Sequence, residues 1–274
     1  MLLHIPIKLY FKDFYVEIPS NHLLPYYLMN YPKYDRFLPH LCSFMKSSDT
    51  IIDVGANVGD TLAGMVHLNS DPNYICIEPD DFFYNILLEN IRRIKFIKTD
   101  LKVTAIKSLV GKNITNVSLH GKGGTKHAVI NDVGVIKSSP LDVLLKSIDH
   151  SEVRVLKSDV DGYDFDVLDS SIDVLEKYKP ILFFELQCDF DFQMKGYIKT
   201  LRLLDSIGYS DWTIFDNFGA IILRTKELNI LIQLIEYLWT QNNGESTRTI
   251  HYYDVLANQD NDSEFIADVL SSYS

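Results

Sequence analysis

The feature that most constrains this chain is the alternation of short apolar runs with stretches of helical spacing. "TIIDV" from Thr50, "NYICIEP" from Asn73, "EVRVLKSD" from Glu152 and "ILFFEL" from Ile181 are short and rich in β-branched or aromatic residues. Runs of that kind suit strands buried on both faces, as in a parallel sheet covered by helices. Between the first of them lie "DTLAGMVHLN" and "DDFFYNILLENIRRI", with apolar residues at helical intervals and Asp80 or Asp81 placed to cap the second. A third strand is expected within Lys102 to Leu109, and "VSLHGKGGTKHAVI" reads as a β-rich excursion with a glycine-rich turn. "YDFDVLDSSIDVLEKY" gives one or two helices, stopped before Pro180. A helix over Gly196 to Ile207 precedes "DWTIFD" and "AIILRT", which flank a turn at Asn217–Gly219. Finally, Leu228, Leu231, Ile232, Ile235, Leu238 and Trp239 form the core-facing stripe of a helix that Asn243–Gly244 ends. The pattern predicts an open, mainly parallel α/β sheet with helices on both faces.

Residues 1–48 do not share this rhythm. They are rich in Tyr, Pro and Leu, and Pro25, Pro32 and Pro39 break any long helix. This segment is expected to pack on a main domain spanning 49–274. The 274 residues carry a formal charge of −11, a poor basis for binding a phosphate backbone. The cluster Arg92, Arg93, Lys95 and Lys98 reads as the solvated end of a helix, so nucleic acid is not expected as a partner. Cys42, Cys76 and Cys188 form no C-x-x-C pair, which points to a reducing compartment. With no apparent signal peptide and no run of the ~18 apolar residues that a spanning helix needs, a cytoplasmic protein without membrane insertion is expected.

In open α/β sheets, ligands bind at the carboxyl ends of the strands. After the first strand comes Asp53-Val-Gly55-Ala-Asn57-Val-Gly59-Asp60, where Gly55 and Gly59 let backbone approach a ligand and Asp60 or Thr61 opens the next helix. Glu78 ends the second strand, 19 residues beyond Gly59, where a Rossmann-type fold grips the ribose hydroxyls of an adenosine. A dinucleotide fingerprint would need glycine at Asn57 and Asp60. An acid at that helix entrance repels a pyrophosphate, whereas Asp53 and Asp60 suit a cation. S-adenosylmethionine, with its sulfonium and ammonium groups and no phosphate, is therefore favoured over NAD. Asp159, Asp161 and Glu185 close the fourth and fifth strands on the same rim, fit for a cationic cofactor and for a general base. "DVDG" is not a calcium loop: in an EF-hand register, positions one and twelve fall on Lys157 and Leu168. No metal is expected.

The stretches "IIDVGANVGDT", "CIEPD", "VLKSDVDGYDFDVL" and "KPILFFEL", from about Thr50 to Leu186, resemble the FkbM-type family of S-adenosylmethionine-dependent methyltransferases. The resemblance implies a class I methyltransferase (Rossmann-like) fold: a seven-stranded, mostly parallel sheet with one antiparallel strand, here with N- and C-terminal extensions. It also implies O-methylation, often of a sugar or secondary metabolite, so a small-molecule or glycan acceptor is expected. Carried over, Gly55, Asn57 and Gly59 cradle the methionine part of the cofactor, with Asp53, Ala56 and Thr61 beside them. Glu78 and Pro79 hold the ribose, Ser108 and Leu109 flank the adenine, and Asp159 lies by the transferring methyl group. Asp161 and Asp164 stand where the family prefers Glu, and Ser108 where Ala is commoner. Asp159 and Glu185 are the leading candidates for a base, with His251 a more distant one, and Tyr26, Tyr27, Tyr31 and Tyr34 could form a lid over the acceptor. The alternatives are an NAD(P)-dependent oxidoreductase and a non-catalytic adenosine-binding module.

Overall fold

The computed structural model describes residues 5–112, 117–120, 127–130, 136–148, 150, 152–244 and 248–273. The chain opens with a hairpin, β1 (Ile7–Tyr10) and β2 (Tyr15–Ile18), followed by two short helices, α1 (Leu24–Asn30) and α2 (Phe37–Cys42). Pro25 lies at the start of α1, where a missing N–H costs nothing. The strand–helix rhythm then begins with β3 (Asp49–Val54), α3 (Asp60–Leu68), β4 (Asn73–Ile77), α4 (Asp81–Ile97) and β5 (Lys102–Ile106). Asp80 caps α4, accepting from the backbone N–H groups of Phe82 and Phe83 at 3.1 and 3.2 Å.

The segment after β5 forms β6 (Leu109–Val110), β7 (Val117–His120), β8 (His127–Ile130) and β9 (Ser138–Ser139), with β7 and β8 paired antiparallel. The glycine-rich turn expected between β7 and β8 lies outside the described residues. Next come α5 (Leu141–Leu145), β10 (Glu152–Ser158), α6 (Asp164–Asp169), α7 (Ile172–Tyr178) and β11 (Ile181–Gln187). The helical stretch before Pro180 is thus two helices. The chain ends with α8 (Asp191–Ser206), β12 (Tyr209–Asp216), β13 (Ile221–Thr225), α9 (Leu228–Asn242), β14 (Tyr252–Gln259) and α10 (Ser263–Ser272). Helix α8 starts at Asp191 rather than at Gly196, because the buried Gln193 side chain accepts from the N–H groups of Asp189 and Phe190 and caps the extra turn.

One sheet of order β13-β12-β14-β11-β10-β3-β4-β5 spans the molecule. It has eight strands rather than the expected seven. The antiparallel strand is β14, inserted between β11 and β12, and β13 adds a second reversed strand at the edge. The chain winds outward from β3 to β5, then restarts at β10 on the other side, so the switch point lies between β3 and β10.

Alternate residues of the central strands feed two cores. Ile52, Val54, Leu156 and Phe184 face the layer containing α5 to α9. Ile51, Val155 and Ile181 face the layer built by α2, α3, α4 and α10, together with the N-terminal hairpin. The expected α9 stripe buries Leu231, Ile235 and Leu238. All three cysteines are free and buried, Cys42 and Cys76 in the second core and Cys188 in the first.

The N-terminal segment is fastened at several points. Asn90 of α4 is fully buried, donates to the carbonyls of Glu17 and Val58 at 2.8 Å, and accepts from Glu17 N at 2.9 Å. Phe37, Leu38 and Leu41 sit in the second core. Tyr31 stacks on Phe218 at the β12–β13 turn, ring centroids 4.0 Å apart. Among the described residues no helix is long and apolar enough to cross a membrane.

Candidate active site

The loop from Gly55 to Gly59 is held by backbone geometry that few residues allow. Gly55 has φ +78°, and a Cβ there would lie 1.9 Å from the Asp159 carbonyl oxygen. Its N–H and that of Ala56 both donate to Ile77 O at 3.0 Å, tying the loop to the end of β4. Asn57 is left-handed at φ +47°, and Gly59, at φ +83°, caps α3. Glu78 completes the junction: Oε2 accepts from Asn57 N at 2.9 Å and Oε1 from Asp80 N at 2.8 Å. Burial pushes its carboxyl up to about 7 against the pull of those two donors.

Beneath the loop lies Lys157, which parallel pairing sets opposite Asp53. Its ammonium sits 2.8 Å from Asp53 Oδ1, donates to Gly55 O at 3.0 Å and lies 3.5 Å from Asp159 Oδ2. Burial alone would depress it, but the Asp53 and Asp159 carboxylates outweigh burial and hold it above the ordinary lysine range. Asp164 is also spent within the fold. Its Oδ1 accepts from Ser158 Oγ at 2.5 Å and its Oδ2 from Tyr197 OH at 3.3 Å.

Two cavities open at the carboxyl ends of β3, β4, β10 and β11, with Gly55, Asn57, Asp159 and Asp161 on the walls of both. The first is bounded by Glu78, Pro79, Phe83, Leu109, Val110 and Tyr163. Its apolar faces suit a planar base, and Glu78 places a carboxylate acceptor on the same wall. Among the described residues that line it there is no Lys, Arg or His. A pyrophosphate would meet Asp159, Asp161 and Asp166 instead, so the wall chemistry fits S-adenosylmethionine and not a dinucleotide.

The second cavity is larger and more polar than the first. Thr61, Asp60, Asp35, Glu185 and Asp254 lie on its walls, as do Tyr27, Tyr34 and Tyr252. Glu185 is 6% exposed, and its Oε2 is buried without a hydrogen-bond partner. Burial, reinforced by Asp159 and Asp161, lifts this carboxyl well above the usual range. Burial also raises Asp161 to about 7. His251 is exposed on the rim, where partial burial and Arg248 lower its pKa.

Several residues singled out in the sequence line neither cavity. Asp53 is turned onto Lys157, and Ala56, Gly59 and Asp164 shape the walls from behind. Ser108 borders a shallow depression beside Pro79 and Leu109, outside the first cavity. Of the N-terminal tyrosines, Tyr27 and Tyr34 reach the second cavity, their rings stacked 4.9 Å apart. Lys157, Tyr163 and Asp254 escaped the sequence reading. The signal for Lys157 was a second cation, three residues after Arg154, in the otherwise apolar run "VRVLK"; that for Asp254 was its alternation within "YYDVLA". Among the described residues, no group of three or more His, Cys, Asp or Glu side chains is arranged to hold a metal ion.

The methyltransferase FkbM domain matches residues 53–210, more than half of the chain. Among solved structures, the chain is similar to the methyltransferase FkbM of Methylobacillus flagellatus KT, with 21% identity and a TM-score of 0.41. That alignment covers 59% of this chain, which spans only 36% of the length of its counterpart. It is also similar to an O-methyltransferase of Bacillus cereus in complex with SAH, at 10% identity and a TM-score of 0.47, covering 82% of this chain and 80% of that one. No curated protein matches the chain. With the matched domain enclosing the glycine loop, Glu78 and the strand-end acids, this chain belongs to the FkbM methyltransferase family, with S-adenosylmethionine as its cofactor.

Proposed function

We propose that the protein is an O-methyltransferase acting on a hydroxyl of a sugar, glycan or related metabolite. The observation that carries this reading is the second cavity, lined by acids and tyrosines, which meets the cofactor cavity at Asp159. S-adenosylmethionine supplies the methyl group, which passes from its sulfonium to the acceptor oxygen. The protein contributes mainly alignment, which can lower a barrier by about 7–11 kcal/mol. In this reading the Gly55–Gly59 loop holds the methionine part, Glu78 takes the ribose hydroxyls, and Leu109 with Val110 flanks the base.

Asp159 is the group we assign as general base. It borders both cavities, and Lys157 steadies its carboxylate from behind. Glu185 and His251 flank the same cavity from its buried wall and from its rim. Stacked Tyr27 and Tyr34 suit the face of a sugar ring, so the N-terminal segment serves as the acceptor-side cover. A small acceptor also accords with the net charge of −11. The free cysteines accord with a reducing, cytoplasmic setting.

Calorimetric titration with S-adenosylmethionine, S-adenosylhomocysteine and NAD in parallel tests the cofactor half. The first two should bind in the micromolar range and NAD should not. For the chemistry, Asp159→Asn should keep S-adenosylhomocysteine affinity while turnover falls by about a hundredfold or more. Unchanged turnover would remove Asp159 from the mechanism. Cofactor binding without methylation of any hydroxyl acceptor would favour a binding module instead.

A further inference from the structure

The second cavity gathers more carboxyl groups than the cofactor can answer. Burial, with mutual repulsion, raises Glu185 and Asp254 well above the usual carboxylate range, so that both take their charge most readily beside a cation. Glu185 of β11 and Asp254 of β14 are direct partners across an antiparallel pair, so their side chains leave the same face of the sheet and enter one cavity. Directly opposed carboxyls lie roughly 5 Å apart at Cβ, a spacing at which two charges repel unless something lies between them. Glu185 is 6% exposed and lines this cavity, and its Oε2 is buried without a hydrogen-bond partner. Asp35 and Asp60 add to the same walls.

The basic residues on those walls are directed elsewhere. Lys157 is held by Asp53 and the Gly55 carbonyl, and Arg248 donates to Asp189 at 2.9 Å. The Lys33 ammonium stands over the Tyr273 ring at 5.4 Å. His22 and His251 are both depressed, chiefly by burial, and so favour the neutral form. Among the described residues, none forms a salt bridge with Glu185 or Asp254. S-adenosylmethionine brings one net positive charge, and the acids on both cavities, Asp159 and Asp161, lie closer to its share of the site.

We propose that the acceptor is a cation: an amine-bearing polyol such as an aminosugar, with its ammonium held between Glu185 and Asp254 and a neighbouring hydroxyl presented to Asp159. This rests on the methyltransferase reading above and narrows its substrate class. An ammonium supplies donors for the unpartnered Glu185 oxygen and relieves the repulsion across the strand pair. Stacked Tyr27 and Tyr34 add aromatic faces that attract a cation. Phosphorylated or nucleotide-linked sugars meet the opposite field and are rejected.

The test uses the full chain saturated with S-adenosylhomocysteine at low ionic strength and three matched probes: D-glucosamine, D-glucose and D-glucose 6-phosphate. Glucosamine should bind about tenfold or more tighter than glucose, and glucose 6-phosphate should not bind detectably. In Glu185→Gln, glucosamine should fall to the affinity of glucose while S-adenosylhomocysteine binds as before, which reports an intact fold. Asp254→Asn repeats the test should the first variant not fold. Equal affinity for the two neutral-framework sugars in the wild-type protein, preference for the phosphate, or no binding of glucosamine overturns the proposal. Failure of S-adenosylhomocysteine to bind instead overturns the methyltransferase reading, so the two failures are distinct.

Discussion

Glu78 joins a role in the fold, which the structure shows, to the role in ribose binding that we propose for it. Each of its carboxylate oxygens accepts one backbone N–H, from Asn57 and from Asp80, and each retains a lone pair for a ribose hydroxyl. Its pKa of about 7 lies above the ordinary 4.5, so the folded chain keeps this proton after the unfolded chain has lost it. The contribution of Glu78 to stability therefore declines as pH rises from about 4.5 towards about 7. Cofactor binding runs the other way, because ribose hydroxyls donate best to the charged form. S-adenosylhomocysteine affinity should weaken from about pH 8 to about pH 6, and this slope should vanish in Glu78→Gln. Glu78→Ala should cost about tenfold to a hundredfold in affinity at pH 8, read by calorimetry. Lys157 poses the complementary case of a cation buried against a carboxylate. Lys157→Met leaves Asp53 buried and unpaired and should cost about 3–5 kcal/mol in urea denaturation. Adding Asp53→Leu should recover much of that loss. A single-variant cost below about 1 kcal/mol would show that Asp53 has another partner.

Among the elements, the β3–α3 turn is where sequence and structure agree most closely. Two glycines at fixed spacing after an apolar strand, followed by an acid ending the next strand, were enough to place this turn and its junction with β4, because close backbone approach leaves few residue choices. Gly55→Ala should confirm how little room remains. A Cβ at φ +78°, 1.9 Å from Asp159 O, must push the loop away from β10. A loss of at least about 2 kcal/mol in stability is expected, together with S-adenosylhomocysteine affinity. Other elements were less legible. The segment "AIILRT" was legible, but not its place in the sheet: β13, with Ile221 and Ile222 about 40% exposed, is an edge strand beyond the seven that the resemblance implied. The first turn of α8 depends on Gln193 reaching back to Asp189 and Phe190, a contact that periodicity does not encode. The Asp53–Lys157 pair needs the register of two strands distant in sequence, and only the folded sheet supplies that. For this reason Asp53 was assigned to the cofactor when its charge is spent on a neighbour.

At the scale of the whole molecule, the sheet separates two cores that share no side chains, because successive strand residues point to opposite faces. The N-terminal segment belongs to one of them through Phe37, Leu38 and Leu41, is fastened by its contacts with Phe218 and Asn90, and lends Tyr27, Tyr34 and Asp35 to the walls of the second cavity. It is built into the fold even where it lines that cavity. The buried thiols give this arrangement a further use. With Cys42 and Cys76 under one face of the sheet and Cys188 under the other, the protein carries its own reporters of opening on each side. A thiol reagent followed residue by residue should modify all three at one common rate if the two layers open together. Faster modification of Cys42 and Cys76 would reveal that the layer holding the N-terminal segment breathes independently, and would measure how often the acceptor side lies open.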